Sequence, residues 1–212
     1  MHRDNQLFLA PSRRWDGRVV GLYGGSFNPG HAGHVHVSHR ALKAFQLDAL
    51  WWLVSPRNPL KKAADIAPIS NRKNIAQTLT KHPKIFVTTL EEDIAASYSW
   101  QTLQALQSRF KRTRFIWVIG ADSLANFHLW KHWRRLFKTL PIAVIDRPGY
   151  SFTALSSPAS RSFARHRVAH GRSRRLRSMQ PPAWVFSYGP LHSGSATLIR
   201  KQRHTWTDER GA

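Results

Sequence analysis

Two histidines three residues apart, His31 and His34, follow a glycine pair in the segment Gly24-Gly25-Ser26-Phe27-Asn28-Pro29-Gly30-His31-Ala32-Gly33-His34. At the start of a helix, positions i and i+3 lie on one face. Two imidazoles there can donate to the same group of phosphate oxygens and stabilise negative charge on them. Glycines let the backbone approach a ligand without Cβ interference. A helix N-terminus adds unpaired N–H groups and the positive end of the dipole, so the combination reads as a phosphate site. The segment is neither a P-loop, whose lysine it lacks, nor a G-x-G-x-x-G turn. One histidine alone would read as a cap or a packing residue; the pair behind a glycine pair points to chemistry. His36 and His39 lack that context and read as surface or packing residues.

Three further places carry candidate groups. Asp122 follows Gly120 and can accept from ribose hydroxyls or an adenine amino group, or serve as the N-cap of a helix over 124–137. Ser195, Thr197 and Arg200 combine hydroxyls with a base near a helix start expected over 195–202, a second anion-binding end. Trp130 offers a flat apolar face for stacking, with core packing as its alternative role.

These groups need a scaffold, and the apolar pattern supplies one. Runs over 18–23, 49–54, 84–90, 114–119 and 142–145 read as buried strands, several stopped by glycine or proline. Helical spacing follows over 33–47, starting near His31, and over 70–81 with Ser70 as a possible cap, 99–110 and 124–137. Strand, Gly-rich turn, helix and strand within the first forty residues of this pattern form a βαβ unit. The expectation is an α/β fold: a Rossmann-like, doubly wound parallel sheet in a single domain with a small C-terminal helical portion. Ligands of such sheets bind outside the carboxyl ends of the strands, where Gly24 and Asp122 both fall. The domain is expected over 18–206, with a flexible leader over 1–17, an Arg/Ser-rich insert or loop region over 151–180, one more short strand over 183–188, and a tail over 207–212.

Composition narrows the classes. The chain has 212 residues, ordinary hydrophobicity at 42% and no cysteine, which excludes disulfides and thiolate metal sites and suits the cytoplasm. It has no apolar run near the ~20 residues of a membrane helix. Net charge is +22, with no acid between Asp146 and Asp208 and seven arginines from Arg161 to Arg177. That excess attracts polyanions in general. The arginine span reads as a solvated basic insert or as an electropositive rim that steers phosphates inward.

The segment 24–34 resembles the G-G-[ST]-F-[DN]-P-x-H-x-G-H signature of the nicotinate-nucleotide adenylyltransferases, within the nucleotidyltransferase superfamily that carries H-x-G-H. Further similarities follow in family order and cover most of the chain. Ser97-Tyr98-Ser99-Trp100-Gln101-Thr102-Leu103 is similar to S-Y-T-x-x-T-L, with Ser99 for the usual threonine. Gly120-Ala121-Asp122-Ser123, Arg147-Pro148-Gly149-Tyr150 and Ser195-Ala196-Thr197-Leu198-Ile199-Arg200 resemble later motifs. Gly194 departs from the family's usual isoleucine.

The resemblance implies transfer of AMP from ATP to nicotinate mononucleotide, giving deamido-NAD and pyrophosphate in NAD biosynthesis, by direct in-line attack of the mononucleotide phosphate. It implies that ATP meets Gly24, Gly25, Ser26, Phe27, His34, Gly120, Asp122, Ser195, Thr197 and Arg200, with His31, His34 and Arg200 at the transferring phosphate. Asn28, Lys61 (or Lys62), Ser99 and Trp130 are implied for the mononucleotide. Mg²⁺ is expected to arrive with ATP, since no carboxylate cluster marks a metal site of its own. No stable nucleic-acid partner and no membrane are expected, and nothing in the pattern specifies an oligomeric state. Rival readings are a sibling transferase with nicotinamide mononucleotide or phosphopantetheine as acceptor, and a basic nucleic-acid-binding protein on the same fold.

Overall fold

The computed structural model describes residues 13–56, 66–94, 96 and 98–194. Strands β1 (Val19–Gly25), β2 (Ala49–Val54), β3 (Ile85–Thr88), β4 (Arg114–Gly120), β5 (Ile142–Ile145), β6 (Arg167–Val168) and β7 (Trp184–Ser187) form one sheet. Its order is β3-β2-β1-β4-β5-β7-β6, and every pairing is parallel. β1 lies between β2 and β4, so the chain winds outward first to one side and then to the other. The crevice that ligands use in such sheets opens where the order reverses, beside Gly24 and Gly25.

The central strands β1, β2 and β5 are apolar along their length because helices cover both faces. The adjacent tryptophans of β2 show the alternation. Trp51 packs with Trp15, Phe110 and Phe115 on one face, and Trp52 packs with Tyr23 and Phe27 on the other. α1 (Ala32–Ala44) and α2 (Ile69–Leu79) bury Ala41, Leu42 and Ala76 on the Trp52 face. α3 (Leu90–Asp93) and α4 (Ser99–Arg109) bury Leu90, Leu103 and Leu106 on the Trp51 face.

The helix expected over 124–137 is broken. α5 (Ala121–Ala125) leads to a 3₁₀ turn at Phe127–Leu129, and α6 begins at Trp133 and ends at Thr139. Trp130 is extended and stacks on Phe127 at 4.9 Å, while His132 takes a left-handed φ of 57°. The apolar spacing is helical, but tertiary stacking of the two rings sets the turn. Ser70 does not cap α2, whose N-cap is Pro68.

The basic span 151–180 is built into the domain. α7 (Ser151–Leu155), α8 (Pro158–Ser162), the short β6 and 3₁₀ turns over His170–Ser178 occupy it. Leu176 is fully buried, and the indole of Trp184 donates to Phe163 O at 2.8 Å. Of the expected leader, residues 13–17 belong to the fold: Trp15 is 5% exposed and its carbonyl accepts from the Thr113 hydroxyl. Trp184→Phe removes the indole donor and leaves a small void. It should lower the unfolding free energy by roughly 2–3 kcal/mol in denaturant titrations, and a loss below about 0.5 kcal/mol would show that the bond to Phe163 does not tie this span to the sheet.

Candidate active site

The turn after β1 places the two histidines. Phe27 adopts a left-handed φ of 45°, unfavourable for a residue with a Cβ. Packing holds it there: its ring stacks on Trp52 at 4.9 Å and meets the His34 ring at 4.7 Å, and the side chain is 1% exposed. The chain then enters α1 through a reciprocal cap. His31 Nδ1 accepts the Gly33 N–H at 3.1 Å, and His34 Nδ1 accepts the His31 N–H at 3.2 Å. The two rings stand 3.9 Å apart. The caps also select the tautomer: with Nδ1 accepting, the proton of a neutral ring sits on Nε2. Thus capping, the simpler role for a histidine here, is what aims the second nitrogen as a donor.

His31 is 6% exposed. Burial lowers its pKa to about 4, with Arg147 and His192 adding to the effect. It is therefore a neutral donor near pH 7. Trp52 braces the helix below it, donating from Nε1 to Ser38 Oγ at 2.7 Å, and Ser38 donates on to His34 O.

Gly24 and Gly120 lie near the carboxyl ends of the adjacent strands β1 and β4. A Cβ on Gly24 would stand 2.8 Å from the Trp117 ring, and one on Gly120 would overlap the Asp122 carboxylate. Asp122 caps no helix, since Gly120 is the N-cap of α5. Its Oδ2 lies 3.6 Å from Arg147 Nη1, and Oδ1 is buried without a hydrogen-bond partner among the described residues. Such an acceptor suits a ligand hydroxyl or amino group. Arg147 also donates to Gly194 O at 2.6 Å. That bond draws 191–194 onto α1, where a Cβ on residue 194 would come within 2.8 Å of Gly33 N. Glycine in place of isoleucine at 194 therefore allows a close backbone approach here.

A buried cation ties this turn to the next loop. Arg72, 2% exposed, donates to Ser26 O (2.7 Å), Ser55 O (2.8 Å), Ala67 O (2.7 Å) and Pro56 O (3.2 Å). Burial lowers its pKa, opposed by the field of Glu92. Asn28 Oδ1 accepts the Ala67 N–H at 3.2 Å, so this residue anchors the same loop. Glu91, buried and with its pKa raised by that burial, accepts from Ser55 and from Thr102 Oγ1 at 2.9 Å. The chain Ser26–Arg72–Ser55–Glu91–Thr102 thus links the Gly-rich turn to the start of α4. There Ser99 sits in the first turn, and Lys131 stacks over Tyr98 at 4.6 Å, next to Trp130. Trp130 is half-buried against Phe127, so it serves the core on one face.

Gly24, Gly25, Ser26, Phe27, Asn28, His31, His34, Gly120 and Asp122 are brought together at the carboxyl edge of β1 and β4. Ser99 and Trp130 form a neighbouring group. Lys61, Ser195, Thr197 and Arg200 lie outside the described residues. Sequence reading passed over Arg72, Glu91, Trp52 and His192 as functional groups. For Arg72 no local signal exists, because a helical arginine reads as solvated. Arg147, noted only as part of a motif, had one: a base at the end of a strand beside an acid-free stretch.

A Gly-rich turn, paired imidazoles on a helix start and a strand-end carboxylate, set at the switch point of a parallel sheet, define a nucleotidyltransferase. A family model for cytidylyltransferase-like proteins matches residues 22–202. Among curated relatives, a probable nicotinate-nucleotide adenylyltransferase of Rhizobium meliloti is 44% identical over 185 residues, 87% of this chain and 98% of its own. One of Cereibacter sphaeroides is 46% identical over 182 residues, 86% and 96% of the two chains. The chain belongs to the nicotinate-nucleotide adenylyltransferase family. The fold agrees: a Plasmodium falciparum nicotinic acid mononucleotide adenylyltransferase complexed with NaAD superposes with a TM-score of 0.66 at 16% identity, over 87% of this chain and 83% of that one.

Two outcomes follow from this geometry. The folded state disfavours protonated His31, so the unfolded chain takes up that proton first as pH falls below about 6.5. The stability advantage of the protein over its His31→Gln variant should shrink by roughly 1–3 kcal/mol between about pH 6.5 and pH 4, measured by denaturant unfolding. A pH-independent difference would show that His31 is not held neutral. Arg72→Met should cost roughly 2–4 kcal/mol, because four carbonyls lose their donor, and Arg72→Lys less, since an ammonium keeps up to three of those bonds. Equal stability of the Met variant would rule out the clamp.

Proposed function

We propose that this enzyme joins nicotinate mononucleotide to ATP, forming deamido-NAD and releasing pyrophosphate. A phosphate oxygen of the mononucleotide attacks the α-phosphorus of ATP, the new P–O–P bond forms, and the bond from Pα to the β-phosphate oxygen breaks. No side-chain nucleophile is required. The protein's part is to hold two anions in line and stabilise charge on the transferring phosphoryl group. His31 and His34 donate from Nε2 to its oxygens, with the positive end of the α1 dipole beneath them.

The observation that carries this reading is the reciprocal cap, which orients two imidazoles as donors at the end of β1. The relatives' names support nicotinate mononucleotide as acceptor. Gly24 to Phe27, Gly120 and Asp122 form the ATP side, completed by Ser195, Thr197 and Arg200. Asn28, Lys61, Ser99 and Trp130 form the mononucleotide side, joined to the first by Arg72 and Glu91. Among the described residues no three His, Cys, Asp or Glu side chains cluster as metal ligands. Mg²⁺ in this proposal is part of the substrate, entering on the phosphates of ATP. The cytoplasm, where ATP is abundant, is the proposed location; no described helix is long and apolar enough to cross a membrane.

The test mixes protein, ATP and Mg²⁺ with nicotinate or nicotinamide mononucleotide and follows the dinucleotide. The expected product is deamido-NAD from the acid, with the amide used less well; no product from either overturns the reading. His34→Ala should lower kcat by roughly 10²–10³, while exposed His39→Ala should leave it within about twofold, as expected for a surface substitution. Equal losses in the two variants would move the site away from His34.

A further inference from the structure

His192 lies outside the sequence motifs of this chain, yet it stands at the mouth of the site. The strap 191–194 crosses the first turn of α1 in backbone contact, since a Cβ on Gly33 would lie 2.6 Å from Gly194 O. Arg147 fastens it there. Within the strap, His192 Nδ1 accepts the Gly194 N–H at 2.9 Å. Its neutral form therefore carries the proton on Nε2, as in His31 and His34. That local bond does not by itself mark a site, because His82 makes the same one with the Lys84 N–H at 3.1 Å.

The surroundings of His192 set it apart. Its field adds to the lowering of the pKa of His31, a side chain more than nine-tenths buried. Its ring lies 5.5 Å from His36, whose Nε2 is 2.8 Å from Pro190 O. Arg40 donates to the same carbonyl at 3.3 Å. Arg147 stands on the other side, holding Gly194. The acids nearby are engaged, Asp122 by Arg147 and Asp146 by the Arg147 N–H and the Ser151 hydroxyl. Imidazoles and a guanidinium around one opening favour a ligand with several negative charges.

We propose that His192 is a third imidazole of this site and that it binds the pyrophosphate moiety: the β- and γ-phosphates of the substrate before transfer, the leaving group after it. The assignment of the ligand rests on the adenylyl-transfer reading above. His31, held neutral, can only donate a hydrogen bond. His192 is partly buried on the strap, where its imidazole can meet a polyanion that the buried pair cannot fully neutralise. His192 and the buried pair thus divide the work between charge and orientation.

The test uses inorganic pyrophosphate and the full-length protein without nucleotide. Calorimetry from about pH 8 to pH 6 should show binding that tightens as His192 is protonated. In His192→Gln affinity at about pH 6 should fall roughly three- to tenfold, the range of one charge-assisted hydrogen bond at a partly exposed site, and most of the pH dependence should go. His39→Gln, an exposed histidine outside this opening, should behave like the parent protein. In ¹³C-histidine NMR of the parent protein, the titration midpoint of His192 should move upward on saturation with pyrophosphate, a readout that needs no variant to fold. Unchanged affinity and pH dependence in a folded His192→Gln protein, or a midpoint that pyrophosphate does not move, overturns the proposal. Failure of dinucleotide synthesis with an upward shift still present would remove the adenylyl-transfer reading and leave the anion site standing.

Discussion

The guanidinium of Arg72 joins three stretches of backbone that are far apart in sequence: the turn after β1, the end of β2 and the return of the following loop at Ala67. Burying a cation is costly, and here the cost is met by carbonyl dipoles. A guanidinium suits this because its donors point in fixed, divergent directions. The Gly-rich turn depends on that frame. Phe27 sits in a strained conformation that only surrounding packing maintains, and Ser26, its neighbour, is the residue Arg72 holds. With the turn in place α1 can begin at His31, and the caps there orient both imidazoles.

The site is thus assembled from one helix start and supports that converge on it from several elements. Trp52 and Ser38 brace α1 from the sheet side. Arg147, from the end of β5, pairs with Asp122 and pulls Gly194 against Gly33. Glu91 carries the linkage across to α4. Each support is a buried polar group whose bonding capacity is largely met inside the fold, which gives a site precision beyond that of a surface loop. Asp122 Oδ1, left without a partner among the described residues, is the exception expected of a ligand contact.

The neutrality of His31 shapes the chemistry. An imidazolium would attract phosphate more strongly, but it would repel Arg147 and His192 and lose the cap that orients it. A neutral donor keeps its geometry across the physiological range, and net positive charge is supplied from residues around it. The chain's excess of +22 favours the approach of anions in general at longer range.

The sequence by itself determined the parallel sheet, because strands buried on both faces must be apolar end to end and the breaks between them fall at glycine and proline. It also determined the place of Gly24 to His34, since a glycine pair, a cap and the first turn of a helix are neighbours in the chain and their chemistry is local. Tertiary structure decided what local pattern cannot encode. It buried Arg72 and Glu91 as tie points, although both occupy helices where such residues are usually solvated. It broke the expected helix at Trp130 by stacking that ring on Phe127, and it built the arginine-rich span into the sheet edge through Leu176 and Trp184. Asp122 became a partner of Arg147 in place of a cap, and His192 came to the mouth of the site, because strands distant in sequence end side by side. The physical reason is the same in each case: hydrogen bonds and packing between distant segments depend on which elements the sheet order makes adjacent, and no periodicity within one segment carries that information.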